Sequence, residues 1–577
     1  MRRFFPFLSW LLHYQKTNLK GDVSAGLTVA MMLIPQAMAV ALLAGLPPIM
    51  GLYASVVPLL VYAFFATSRH VAIGPVALIS MMVATGVSKL AAPGSTQYIL
   101  YATVLAGMVG CMQFGMGALN VGFLVNFLSY PVISGFTSAA AVIIAFSQLK
   151  HLLGIALPES HYIHEILIES IARVEQINTP TLLLGTTCIL LLAWLRKWKT
   201  AIPGAPIVVA LAAFLVWALD LQSVGVTVLG DVPPGLQGFT LPPIQLSTLS
   251  ALAPIAIAIA LVAFMESIAV AKNFAARYHY DVDANQELIA LGLANISASV
   301  FGGYPVTAGF SRTAVNVQAG ARTGLASIIT SLIVALTLMF LTGSFHYMPT
   351  VALAAIIVVA VTSLIDFKQA THLFKVKRTD LISWIVTFVA TLSFGIEKGI
   401  LLSIATSLVL VVRRTTRPHC AVLGRLPGTK VYRNVERYPE AITLLGVILI
   451  RIDTSLYFAN VNFLKEKIQE LVQTSPSRLS AIIFDASSVN DIDSSADTAL
   501  HEIADNLHQQ GIKFYFTNVK GPVRDVLQRS GFYDKLGEDH FFFRNHDAVK
   551  YFLDERIEVM NETPGGAVKH KAGAEIL

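Results

Sequence analysis

A polar, glycine-rich stretch interrupts the apolar second half of the chain. It runs from Gly302 through Phe310, Ser311 and Arg312 to Ala321. Lipid offers no partner to a free backbone N–H or C=O, so such a stretch is tolerated at membrane depth only where protein buries it or where it lines a watery cavity. Arginine keeps its charge even when it is poorly hydrated. The stretch therefore indicates where the protein handles its substrate.

Two positions are open to the Arg312 side chain. It could lie beside the substrate, or it could extend to the cytoplasmic interface together with Arg322, as long cationic side chains near helix ends do. Arg312 follows glycines and does not end an apolar run, so we expect it at the site.

Glu266 is the second side chain of chemical interest, because it stands alone in the apolar run Leu252–Ala271. A carboxylate at such a position costs about 2.5–3.5 kcal/mol on insertion scales and is a functional candidate by default. It could carry a transported proton, bind a sodium ion, pair with Arg312, or hydrogen-bond Gln36 as a structural group. We expect Glu266 to couple transport to an ion.

The composition is that of a membrane protein with a water-soluble C-terminal part. Hydrophobic residues make up 55% of the chain, charged residues 13%, and the mean hydropathy is +0.66. The apolar blocks end near Arg413, after which charges return. We expect a cytoplasmic N-terminus (1–20), a transmembrane domain (21–415), a linker (416–435), a small α/β domain (436–557) and a flexible tail (558–577).

About fourteen apolar segments follow one another in the transmembrane part, several of them short or broken by Pro or Gly. Lys and Arg cluster in the loops of one side, whereas Leu219–Ser250 contains neither. The positive-inside rule therefore puts both termini in the cytoplasm. We expect a multi-pass protein of the cell membrane, a bacterial inner membrane, with the lipid bilayer as its surroundings.

The two halves of the transmembrane part match at a common offset of 230 residues. Gln36–Ala41 falls on Glu266–Ala271, and Pro75-Val76 falls on Pro305-Val306. An odd number of spans per half, seven here, inverts the second copy and gives the inverted repeat that is typical of secondary transporters.

In such repeats, interrupted segments meet near the midplane, each with an extended approach followed by a half-helix. The approaches here would be Arg69–Pro75 and Phe301–Gly309. A helix start offers free N–H groups and the equivalent of about +0.5 charge, which attracts anions. Two such starts facing one cavity predict an anion site.

The motifs around these segments resemble those of the SulP family of sulfate permeases and solute-carrier anion transporters, over nearly the whole chain. The resemblance rests on five stretches: Leu33–Ala39, Gly51–Ala54, Thr67–Pro75, Asn285–Leu288 and Gly309–Thr313. It implies an all-α polytopic domain with a seven-plus-seven inverted repeat, divided into core and gate domains, followed by a cytoplasmic α/β STAS domain. It also implies elevator-like movement of the core against the gate, and we expect a homodimer.

The resemblance assigns substrate-binding positions between the third and tenth helices. These are Gln36, Val76, Ala77, Phe310, Ser311 and Arg312. Sodium-driven members of the family carry an aspartate near the position of Glu266 and a hydroxyl residue one turn later, where this chain has Val270. The difference favours proton symport or anion exchange over sodium coupling.

Strands and helices alternate beyond Arg417, which indicates an α/β unit. The stretch Phe484–Ser495 resembles the STAS loop-to-helix signature, in which related bacterial regulators are phosphorylated on a serine. Ser494 and Ser495 are therefore candidate regulatory residues, and this surface is a candidate docking site for a cytoplasmic protein. The structural alternative is that Asp493 and Ser494 only cap the following helix.

The leading function is secondary active transport of a small inorganic oxyanion, sulfate first, with bicarbonate or a C4-dicarboxylate as alternatives. An anion channel of the same fold is a further alternative, whereas Arg312 argues against a nucleobase permease. We expect no cofactor, no metal site and no catalytic residues, because the sequence contains no metal-ligand cluster, nucleophile motif or phosphate loop. The net charge of +6 lies in the cytoplasmic loops and gives no reason to expect a nucleic-acid partner.

Overall fold

The computed structural model describes residues 6–12, 14–123, 130–157, 163–197, 204–243, 245–475 and 477–562. Residues 1–5 of the expected N-terminal segment and residues 563–577 of the expected tail lie outside this range. The chain forms two compact units, Met1–Leu408 and Val409–Leu577.

The first unit is helical, with two very short strands. Its first half contains α1 (Phe7–Leu11), α2 (Lys16–Leu43), α3 (Pro48–Tyr53), α4 (Val57–Phe65), β1 (Ile73–Gly74), α5 (Ala77–Val87), α6 (Thr96–Ala118), α7 (Tyr130–Ser147), α8 (Leu149–Leu153), α9 (Ile163–Ala172), α10 (Thr179–Lys197) and α11 (Gly204–Ala218). Its second half contains α12 (Leu246–Tyr278), α13 (Ala284–Val300), β2 (Thr307–Ala308), α14 (Phe310–Gln318), α15 (Leu325–Phe340), α16 (Thr350–Val361), α17 (Phe367–Val376) and the start of α18 (Arg378–Thr416).

Six described helical segments are long and apolar enough to cross a membrane, and five shorter apolar helices accompany them. Helix α18 is broken at Gly395, whose φ of 83° lies in the left-handed region that favours glycine. Counting its two parts separately, the described chain agrees with the seven-plus-seven expectation. The segments are α2, α3 with α4, β1 with α5, α6, α7 with α8, α10 and α11, then α12, α13, β2 with α14, α15, α16 and the two parts of α18.

The internal repeat is visible in the element boundaries. Helices α2 and α12 begin at Lys16 and Leu246, at the same offset of 230 residues as the sequence match. The third segment of each half is an extended approach followed by a short helix, α5 or α14. Because a residue that precedes proline avoids helical backbone angles, Pro75 and Pro305 explain why neither segment is a continuous helix.

The two extended approaches pair with each other. Strands β1 and β2 are antiparallel, with Ile73 opposite Ala308 and Gly74 opposite Thr307. One strand comes from each half of the repeat, so this pairing joins the halves at the point where α5 and α14 begin.

The second unit is a six-stranded mixed sheet with helices on both faces. Its strands are β3 (Cys420–Arg425), β4 (Tyr432–Asn434), β5 (Val447–Ile452), β6 (Ala481–Asp485), β7 (Lys513–Thr517) and β8 (Phe541–Phe542), in the order β4-β3-β5-β6-β7-β8. Strands β5 to β8 are parallel, whereas β3 and β4 pair antiparallel. The helices are α19 (Val461–Thr474), α20 (Ser494–Gln509), α21 (Gly521–Arg529), α22 (Phe532–Leu536) and α23 (Asn545–Glu562).

Two stretches of this unit differ from the sequence expectations. Residues 416–435, expected as a linker, contain β3 and β4, and β3 alternates between more and less buried side chains as it pairs with β5. Helix α23 continues to Glu562, past residue 558, where we expected the tail to begin. Its residues Ala548, Val549 and Phe552 are buried against one face of the sheet.

Candidate functional site

The candidate site is built on the starts of α5 and α14. The residues that precede these helices, Val76 and Gly309, have extended backbone angles, and neither helix start has a side-chain cap. The first N–H groups that find intrahelical acceptors are those of Ser80 and Thr313. The backbone N–H groups in the first turn of each helix are therefore available to a ligand. The helix dipoles favour a ligand with negative charge.

A cavity of about 900 Å³ opens at these two helix starts. It is lined by Met32, Gln36, Val76, Ala77, Leu78, Leu192, Leu195, Gly204, Ala205, Glu266, Gly309, Phe310, Ser311, Ala314, Val315, Gln318, Ile356, Val359, Ala360, Val361 and Leu364. Five of the six substrate-binding residues named by the resemblance line it, and so does Glu266. Ser311 is exposed to the cavity, and the Phe310 ring packs 5.7 Å from that of Phe274.

Arg312 occupies a different position from its neighbours. Its side chain is fully buried, it is absent from the cavity lining, and its Nη2 donates a hydrogen bond to the Pro75 carbonyl at 2.7 Å. Among the described residues, Nε and Nη1 have no hydrogen-bond partner. Arg312 thus lies behind the paired strands, and the alternative in which it extends to the interface with Arg322 is wrong.

The close approach of Arg312 to β1 requires a glycine. Gly74 has a φ of 155°, and a Cβ atom added there would lie 2.4 Å from Arg312 Nη1. The absence of a side chain at Gly74 lets the guanidinium approach the backbone beside the start of α5. A positive charge behind the helix start strengthens the field that the dipoles direct into the cavity.

Glu266 and Gln36 lie at equivalent positions of the two repeats and both line the cavity. Glu266 Oε2 and Gln36 Oε1 are buried without a hydrogen-bond partner among the described residues, and the structure shows no hydrogen bond between these two side chains, which was the structural alternative for Glu266. Glu266 and Arg312 attract each other electrostatically, but their charged atoms are not within the 4.0 Å of a salt bridge.

Sequence reasoning missed the opposite wall of the cavity. Leu192 and Leu195 of α10, Gly204 and Ala205 of α11, and Ile356 of α16 face the helix starts there. These residues belong to ordinary apolar helices, and the charges of α10, Arg196 and Lys197, lie only at its end, so no feature of the sequence marks these residues as lining a cavity. Only an assignment of each helix to the core or the gate would have found them.

The second unit places the candidate regulatory serines at a helix start. Asp493 caps α20, because its Oδ1 accepts a hydrogen bond from the Ala496 N–H at 2.8 Å. Ser494 and Ser495 are the first residues of that helix, and both are exposed. The structural part of the expectation is confirmed for Asp493, while the regulatory role of the serines stays a prediction.

In the part of the chain that the structure describes, no group of three or more His, Cys, Asp or Glu side chains could hold a metal ion.

Residues 19–387 match the model of the sulfate permease family, and residues 438–548 match that of the STAS domain. The chain is 40% identical to a probable sulfate transporter 4.2 of Arabidopsis thaliana, over 95% of this chain and 83% of that protein. It is 35% identical to a probable sulfate transporter of Mycobacterium tuberculosis, over 93% and 96% of the two chains. Among solved structures, the murine Solute Carrier 26 family member A9 anion transporter in the inward-facing state superposes with a TM-score of 0.87 at 26% identity, covering 95% of this chain and 94% of that one.

Proposed function

The chain belongs to the sulfate permease family, and we propose that it is a secondary active transporter of a small inorganic oxyanion, with sulfate as its first substrate. The family membership and the fold place it among multi-pass membrane transporters. Named sulfate transporters at 35–40% identity over most of the chain support sulfate above bicarbonate or a C4-dicarboxylate.

The observation that carries this proposal is the convergence of two uncapped helix starts on one cavity. Each helix start stabilises an anion by about 0.3–1 kcal/mol when exposed and by up to about 2 kcal/mol when partly buried. Ser311 adds a hydroxyl donor, and Phe310 and Val76 contribute apolar walls. This arrangement suits a compact anion whose several oxygens accept hydrogen bonds from different directions.

Glu266 provides a route for coupling to protons. When its carboxylate is ionised, it offsets part of the field of Arg312, and when it is protonated that field acts fully on the cavity. Protonation of Glu266 and binding of an anion therefore favour each other, as linkage requires. This gives proton symport or, with the proton retained, anion exchange.

The cavity lining supports an elevator-like movement. Helices α2, α5, α12 and α14 form one wall and carry the helix starts and Glu266, while α10, α11 and α16 form an apolar wall without binding groups. Sliding one wall along the other would carry the site without breaking it. We further propose a homodimer in the cell membrane with both termini in the cytoplasm, and the STAS unit as the surface for a cytoplasmic partner.

Counterflow of labelled sulfate into proteoliposomes tests the proposal. Accumulation that saturates with sulfate concentration, and that requires sulfate inside the vesicles, is the expected result. Bicarbonate or succinate would replace sulfate as the assigned substrate if either inhibited uptake more strongly than unlabelled sulfate. Large unitary currents in planar bilayers would instead indicate a channel and overturn the carrier.

A further inference from the structure

We propose that α13 is the element that positions the anion site, and that Glu287 and Asn295 are its positioning residues. Neither side chain lines the cavity, and each holds a different one of the two extended approaches. The inference rests on the proposed function, because it concerns how the same anion site is held in shape.

Glu287 holds the residues at which the first approach begins, and that approach leads through β1 to α5. Its Oε1 accepts hydrogen bonds from the N–H groups of Thr67 and Ser68, both at 2.8 Å, and from Thr67 Oγ1 at 2.6 Å. Its Oε2 accepts from Tyr62 Oη at 2.5 Å. Glu287 is 1% exposed, so water does not replace these donors and the carboxylate depends on them.

Asn295 holds the second approach, which leads through β2 to α14. Its Oδ1 accepts from the Val306 N–H at 2.7 Å, and its Nδ2 donates to the Val306 carbonyl at 3.1 Å. The same Nδ2 also contacts Gln113 Oε1 on α6 at 2.9 Å. One fully buried amide thus satisfies both backbone groups of Val306, which no helix or sheet partner serves.

The helix that carries both residues is itself held firmly. Helices α13 and α6 touch backbone to backbone at glycines: a Cβ atom at Gly292 would lie 2.5 Å from Phe114 N, and one at Gly110 would lie 2.6 Å from Ile296 N. Glu287 and Asn295 lie about 12 Å apart along the helix axis at 1.5 Å per residue. A rigid helix with two anchor points at this spacing fixes both approaches relative to each other.

The hydrogen bonds of Glu287 and Asn295 determine the direction in which the N–H groups at the starts of α5 and α14 point. Besides the short pairing of β1 with β2, the approaches make single hydrogen bonds to other elements, such as that from the Ala72 N–H to Thr313 Oγ1 and that from Asn316 Nδ2 to the His70 carbonyl, whereas Glu287 and Asn295 each hold consecutive or paired backbone groups. Loss of one anchor would let its approach shift and would turn the N–H groups of α5 or α14 away from the cavity. Small misplacements of binding groups have large effects on ligand binding and turnover.

The test uses the purified full chain and measures the sulfate Kd by calorimetry, the melting temperature, and hydrogen exchange of residues 67–74 and 304–309. We expect Glu287→Ala to weaken sulfate binding by about tenfold or more and to speed exchange in 67–74. Glu287→Gln keeps an oxygen acceptor for Thr67 and Ser68, so it should bind sulfate within about threefold of the parent. Asn295→Ala should weaken binding independently and speed exchange in 304–309.

Asp22 offers a matched control in the same unit. It is fully buried and accepts from the same set of donors: two consecutive backbone N–H groups, those of Arg322 and Thr323, one threonine hydroxyl, and the hydroxyl of Tyr14. It anchors the loop between α14 and α15 and neither approach. Asp22→Ala should lower the melting temperature as Glu287→Ala does, yet leave the sulfate Kd unchanged within about twofold.

Three results would overturn the proposal. They are parent-like sulfate Kd values for folded Glu287→Ala and Asn295→Ala, a Glu287→Gln variant as weak as Glu287→Ala, and an Asp22→Ala variant that weakens binding equally. If Glu287→Ala does not fold, the sulfate Kd of Asn295→Ala and its hydrogen exchange in residues 304–309 decide whether the proposal holds. A parent protein that neither binds nor exchanges sulfate would refute the proposed function, while hydrogen exchange would still judge the anchors.

Discussion

Replacing Gly74 by alanine should displace Arg312 and weaken anion binding without touching the cavity. The new Cβ would lie 2.4 Å from Arg312 Nη1 and 3.3 Å from its Cζ, and real Cβ atoms do not approach so closely. The guanidinium must move, which breaks its hydrogen bond to the Pro75 carbonyl. A φ of 155° also strains any residue with a side chain.

The size of the effect can be worked out. A hydrogen bond to a charged group contributes about 1.5–3 kcal/mol, so the folded state loses that amount in addition to strain of about 1–3 kcal/mol. If the guanidinium charge moved from about 8 Å to about 12 Å from the anion, Coulomb's law at an effective dielectric constant near 20 would give a cost of roughly 0.7 kcal/mol per unit of anion charge. For a dianion, which carries two unit charges, the loss of binding free energy is twice this value, about 1.4 kcal/mol, and it corresponds to about a tenfold increase in Kd.

The assay is sulfate binding to purified protein, with a double-variant cycle. Gly74→Ala should raise the Kd about tenfold, and Arg312→Ala should raise it at least as much. The clash needs the guanidinium, so adding Gly74→Ala to Arg312→Ala should change the Kd little further. Gly115→Ala is the control, because a Cβ there meets no atom within 4 Å and alanine suits the helix. Parent-like binding by Gly74→Ala, or full additivity in the cycle, would refute the reasoning.

Three further expectations concern coupling and the second unit. Glu266→Gln should abolish pH-driven sulfate accumulation in proteoliposomes while sparing sulfate–sulfate exchange, and persistence of the pH dependence would exclude Glu266 as the coupling group. Asp493→Ala should destabilise the second unit by about 0.5–2 kcal/mol through loss of the α20 cap, measured by hydrogen exchange in the full chain; unchanged exchange across α20 would contradict this. Partial burial raises the pKa of Asp453, but hydrogen bonds and charges from Arg451 and His419 outweigh burial and hold the pKa below its ordinary 3.8. The ionised carboxylate therefore stabilises the second unit at pH values above 3.8. This contribution to stability disappears as the pH falls through the lowered pKa of Asp453. The Asp453→Asn variant should lose less stability in acid than the parent.

Most of the transmembrane fold could be predicted from the sequence, because its clearest patterns follow from the physical requirements of a chain that crosses lipid. Apolar blocks must span lipid, and Pro75 and Pro305, which stand near glycines in the third segment of each half, favour an interrupted helix there. The offset that joins Gln36 to Glu266 recurs in the helix boundaries. Family membership and the helical anion-transporter fold are confirmed by the comparisons.

The exact position of Arg312 could not be predicted in the same way. On α14 it follows Ser311, which lines the cavity, but a helix turns about 100° per residue, so neighbours point to different sides. The sequence also gave no sign that Gly74 would admit the guanidinium, because that contact joins residues from the two repeats. Strand β3 was missed because its apolar residues do not alternate with polar ones in the sequence, and β4 was missed because it is only three residues long and lies at the edge of the sheet.

The ladder between β1 and β2 has a thermodynamic consequence for the proposed transport cycle. The anion-binding groups of both repeats are joined in one rigid body, so in the proposed cycle they move together with the bound anion and keep their mutual geometry on either side of the bilayer. Such a carrier binds its anion with similar affinity from either compartment. In the proposed cycle, net flux is then set by the gradients of anion and proton and by the membrane voltage, and the protein itself imposes no preferred direction.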